Sequence, residues 1–209
     1  LEDLNRHFAR FVAARYRDWI AGGAGRPLLS PDIVARKIVP LLSEGRRAAL
    51  IVIDSLRMDQ WLLCEPLLSP DFRVTTESAC AILPTATPYA RNAIFSGYEP
   101  RELARRHPDF WQEVQADDMG KNRFERELLV RLLERHGIAE QRVQYAKIVS
   151  RPDAEEFSRR VGSYQKSDLV ALVFTFVDTF AHGRGRDASL AEFAQDAGAL
   201  RAHLRTWFE

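Results

Sequence analysis

Apolar residues recur along this chain in two different rhythms, and each change of rhythm marks an element. Over residues 2–21, Leu4, Phe8, Phe11, Val12, Tyr16 and Trp19 stand three, four or one apart, which predicts an amphipathic helix ending at Gly22 and Gly23. Ser30 followed by Pro31 reads as the cap and first turn of a second helix. Ile33, Val34, Ile38, Leu41 and Leu42 supply its apolar face up to Gly45. At Ala48 the rhythm changes to AALIVID, a continuous apolar run rich in β-branched residues. Such a run predicts a strand covered on both faces. It recurs at Leu169–Val177, LVALVFTFV. Arg73–Leu83 begins with alternation (Val74, Thr76, Ser78, Cys80) and reads as a third strand, and the short, mixed Val143–Val149 as a fourth. Helical patterns fill the intervals at Met58–Leu67, Tyr89–Ser96, Phe124–His136, Pro152–Val161 and Ala188–Phe208.

Strands alternating with helices predict an α/β fold, three-layered and doubly wound, with a mainly parallel sheet and an N-terminal helical segment. Residues 97–122, with Pro100, Pro108, Gly120 and clustered charges, read as an irregular excursion over the sheet. The chain opens directly in helical pattern, so residues 1–45 are expected to be the end of an upstream helical region and 46–209 the start of the domain proper.

Composition narrows the picture only broadly. With 209 residues, 46% hydrophobic, there is enough chain for one full core. Thirty basic against 29 acidic residues leave a net charge of +1, so no global field points to nucleic acid or an anionic membrane. Arg101, Arg105, Arg106, Arg159, Arg160, Arg184 and Arg186 offer at most a local basic groove. Two cysteines, Cys64 and Cys80, without CxxC spacing argue against a disulfide framework and a thiolate zinc site, and a cytoplasmic setting is the expectation. No run of about 18 apolar residues is present, so no membrane partner is expected. The absence of GxGxxG and GxxxxGK[ST] disfavours a nucleotide cofactor held by a glycine-rich loop.

The candidate chemistry lies in three segments. Asp54 and Asp178 follow the two strongest strands, and in open α/β sheets sites form at the carboxyl ends of strands. If these strands are parallel neighbours, both carboxylates face one crevice. His182 stands four residues after Asp178, so the pair can serve as ligands for zinc or manganese; a helix-capping Asp with an incidental surface His gives the same spacing. Thr85 and Thr87 lie between Pro84 and Pro88, which stiffen the loop, and the helix after them would turn its amino terminus toward an anion. A threonine there also serves as a simple helix cap.

IVIDSLRMDQW, LPTATPYARNAIFSG and FTFVDTFAHGR together resemble the PglZ family of the alkaline phosphatase superfamily, and in particular the version found in PorX-type bifunctional response regulators. The resemblance implies an alkaline phosphatase-like fold and a metal-dependent phosphoesterase with two divalent ions, zinc above all. It also implies a phosphodiester substrate, extending to cyclic oligonucleotides, and a receiver domain in the parent chain. By the same resemblance Thr87 is the nucleophile, preferred over Thr85 by its distance from Ser96-Gly97. Asp54 matches the ligand of the metal beside the nucleophile, and Asp178 with His182 matches the pair for the second metal. Arg57 and Arg91 fit arginines of the family that either contact phosphate or form ion pairs. Superfamily sites also use an Asp-His pair on a later strand, and no Asp-His dipeptide occurs here; the expectation is a truncated domain with about half of a two-metal site. The competing reading is a non-catalytic signalling module, dimerising through this fold as a homodimer with a degenerate metal site.

Overall fold

Three strands, β1 (Ala48–Ile53), β2 (Val143–Ile148) and β3 (Leu169–Phe174), form a parallel sheet in the order β1-β3-β2. They belong to a computed structural model that describes residues 2–111, 122–175 and 177–178. Parallel pairing needs a crossover for every connection. Helices supply them: α3 (Met58–Leu68), α4 (Thr87–Ser96), α5 (Pro100–Arg106) and α6 (Glu125–Arg135) lie between β1 and β2, and α7 (Arg151–Arg160) between β2 and β3, while α1 (Glu2–Ile20) and α2 (Val39–Ser43) precede β1. All three strands are flush: Ile53 and Ile148 both pair with Phe174, so their carboxyl ends form one rim.

Side chains leave a strand alternately on its two faces. On one face Leu50, Val143, Leu169, Ala171 and Val173 pack against Val39 and Leu42 of α2, Phe95 of α4, Leu103 of α5 and Leu128, Leu129, Leu132 and Leu133 of α6. On the other, Ile53 and Phe174 meet Trp61 and Cys64 of α3 together with Val177. α7, opened by a capping box in which Ser150 Oγ accepts from the Asp153 N–H, lies beside Ala146 and Ile148 of β2. The three layers expected from the sequence are therefore present.

Several local expectations need correction. Arg73–Leu83 forms no strand; a single parallel bridge joins Leu29 to Cys80. The polar side of its alternation is equally satisfied by water. Ser30 does not cap a helix, because its Oγ accepts the Ile82 N–H at 3.2 Å. The segment that follows widens into a π turn over Val34–Ile38, where the Val39 N–H reaches the Val34 carbonyl and Pro40 has no N–H to give. β1 is covered on one face only along part of its length, with Ile51 54% exposed. It is an edge strand, whereas β3, between the other two, is covered more completely. Within 97–111, the described part of the expected irregular stretch, Pro100–Arg106 forms a helix, α5, since Pro100 suits a first turn and Leu103 finds a buried place; residues 112–121 lie outside the described residues. The expected helix at 188–208 lies outside the described residues. Among the described residues no helix is long and apolar enough to cross a membrane.

Candidate active site

At the rim, Asp54 is the first residue beyond β1, and its N–H donates to the Phe174 carbonyl at 2.8 Å. Ser55 follows in the left-handed region, φ 61°, a conformation that costs a non-glycine residue about 1 kcal/mol or more. From that position its Oγ donates to Asp178 Oδ1 at 2.7 Å. The chain leaving β1 is thereby joined to the chain leaving β3; that strand ends at Phe174 rather than Val177, and Asp178 lies four residues beyond it in a helical turn.

The third segment reaches the crevice through α4. Leu83–Pro84 is a cis peptide, Thr85 is exposed in the loop, and Thr87 is the half-buried first residue of α4, two residues earlier than the pattern predicts. Pro88 has no N–H, and the Tyr89 and Ala90 N–H groups both donate to the Ala86 carbonyl at 3.0 Å. The amino terminus of α4 therefore offers an anion fewer free donors than expected. One turn on, on the same helix face as Thr87, Arg91 is 5% exposed. Its Nη1 donates to Asp54 Oδ2 at 2.8 Å, while Nε and Nη2 grip Glu125 at 2.7 and 2.6 Å. Glu125 is fully buried and also accepts from the Tyr145 hydroxyl at 2.8 Å.

Electrostatics follow from this array. Burial disfavours the Arg91 charge, but Glu125 and then Asp54 outweigh it and hold its pKa above the ordinary guanidinium value. Burial, reinforced by the Glu125 carboxylate, pushes the Tyr145 phenol upward, so it remains a donor. Lys147 on β2 feels the same groups: burial lowers its pKa, Glu125 opposes this, and Arg91 adds to it. Arg57 is exposed and paired with Asp59 through Nε and Nη2 at 2.9 and 2.6 Å. His182 lies outside the described residues.

Asp54 and Asp178 offer hard carboxylate oxygens, which suit a divalent ion. Asp54 Oδ1 accepts no hydrogen bond among the described residues, so one oxygen remains for a metal while Arg91 holds the other. Also among the described residues, no three His, Cys, Asp or Glu side chains converge as a metal-binding group.

Sequence reasoning missed Glu125, Tyr145 and Ser55. Glu125 had a signal: with Leu128, Leu129 and Leu132 it makes the i, i+3, i+4, i+7 stripe of a buried helix face, where a lone carboxylate requires a partner. Ser55 had none, because its role depends on a backbone conformation rather than on residue type.

Residues 33–204 match the model of the family described as the BREX system PglZ alkaline phosphatase-like domain. Among curated proteins no match is found.

Proposed function

The chain belongs to the PglZ alkaline phosphatase-like family, and from that premise we propose that it hydrolyses phosphoric esters, of the diester type, with Thr87 as nucleophile. One observation supports the reading: β1 and β3 end flush in parallel, Ser55 beyond β1 donates to Asp178 beyond β3, and Arg91 on the helix headed by Thr87 donates to Asp54. Its coarser part, an alkaline phosphatase-like domain with a phosphoesterase-type fold, follows from family membership alone.

Asp54 would hold a divalent ion beside Thr87, and Asp178 with His182 a second, zinc being the expected metal. When bound, such ions supply the positive charge that lowers the pKa of a hydroxyl and of an attacking water. Thr87 Oγ1 forms the new bond to phosphorus as the ester oxygen leaves, giving a phosphothreonine that water then hydrolyses. Arg91 keeps the Asp54 carboxylate in one orientation through its charge-assisted hydrogen bond, and Glu125 keeps Arg91 in place. The resemblance to PorX-type response regulators supports a diester substrate, cyclic oligonucleotides included, and an output role in two-component signalling.

Thr87→Val removes the nucleophilic oxygen while keeping the shape of the side chain. With zinc and bis-p-nitrophenyl phosphate, turnover should fall about 10³-fold or more, with melting temperature and metal content unchanged. A T87V variant that turns over at the native rate would remove Thr87 from the mechanism.

A further inference from the structure

We infer that the cleft between α5 and α6 is a second binding site, selective for a compact anion carrying two or more phosphate charges. It opens beyond the carboxyl end of α4, and Thr87 heads the other end of that ten-residue helix, about 15 Å away along the axis. Its volume is about 530 Å³, in the range of small-molecule sites. Tyr98 is central, with Arg106 and Arg135 lying 5.0 and 4.2 Å from its ring centre. Arg131, one turn before Arg135 on α6, lies over Phe110 at 5.1 Å. These ring contacts orient guanidinium forks without neutralising them.

Charge in the cleft is unbalanced. Arg106 shares Glu102 with Arg105. Arg131 has no carboxylate partner among the described residues, and Arg135 gives Nη2 to the Ser96 carbonyl at 2.6 Å, which leaves its remaining N–H groups available. Among the described residues Glu134 is the one carboxylate lining the cleft. Neighbouring groups register the resulting field. Burial and then the charges of Arg131, Arg135 and Arg106 hold the His107 imidazole below its ordinary value, and burial with Arg106 does the same to Arg135. Like charges gathered in a concavity repel one another, and a bound anion turns that repulsion into attraction. Guanidinium forks match phosphate oxygens in geometry as well as charge.

The test is calorimetric titration of the 209-residue chain with pyrophosphate, in the presence of a chelator so that no metal in the Asp54 crevice competes. Binding is expected at one site, weakened about tenfold or more by R106Q and by R131Q and unchanged by T87V. The His107 imidazole resonance should move on binding. Arg106 and Arg131 are exposed, so circular dichroism should show both variants folded; Arg135 is left in place because it holds the Ser96 carbonyl. A parallel titration with ADP identifies the source of the phosphates: tighter binding than pyrophosphate points to a nucleotide, equal binding to the phosphates alone. Native-like affinity in both variants, or no binding by the native chain at about millimolar pyrophosphate, overturns the inference.

Discussion

Glu125 shows how much a single buried side chain can decide. It carries a charge with no exposed surface, and it is tolerable only because Arg91 and Tyr145 satisfy both its oxygens. A buried ion pair contributes little compared with a well-packed apolar alternative, but removing one partner strands the other. Glu125→Gln should therefore cost about 3 kcal/mol in urea denaturation, at the lower end of the range for such breaks. A cost under about 1 kcal/mol would mean that Asp54 alone can hold the Arg91 charge. At this scale the sequence was only partly legible. Asp54, Thr87 and Asp178 stand out by their positions after apolar strands and between prolines. The partner of Asp54 does not, because Arg91 is 37 residues away and its pairing exists only once α4 crosses the rim.

At the scale of elements, the junction of α4 with α6 is the most tightly specified. α4 ends at Gly97, which adopts φ 69° and lies so close to α6 that an added Cβ would meet Leu132 Cδ1 at 2.8 Å. Left-handed conformation and close approach both demand glycine here. Gly97→Ala should destabilise the fold by about 1–3 kcal/mol, read as a lower denaturation midpoint at unchanged m-value. An unchanged midpoint would show that α6 can withdraw from α4 at no cost. Continuous apolar, β-branched runs of strand length located β1 and β3, although β1 is less covered than its run predicts and β3 ends at Phe174 rather than Val177. Alternation misled at Arg73–Leu83, since a polar–apolar repeat fits an exposed coil as well as a strand.

For the whole molecule, the proposed metal site joins the first strand to the last described one. Metal binding should therefore act as a cross-link between distant parts of the chain, as the Ser55–Asp178 bond already does across 123 residues. If zinc binds the native state alone, a hundredfold excess over its dissociation constant adds about 2.7 kcal/mol of stability. Thermal melts should show a rise in melting temperature on adding zinc, reversed by chelator and lost in D54N and D178N. An equal rise in both variants would assign the zinc to other residues. Hydrophobic periodicity and strand–helix alternation determined the class of fold by themselves, because burying apolar surface in layers leaves few alternatives. The position of Asp54 directly after β1 followed from the same pattern, whereas Asp178 lies four residues beyond the end of β3. Tertiary structure alone decided that β3 lies beside β1, that Ser55 turns left-handed to reach Asp178, and that Arg91 and Glu125 form a buried pair beneath the rim. These are contacts between distant segments, whose energies depend on distance and desolvation that no local pattern encodes.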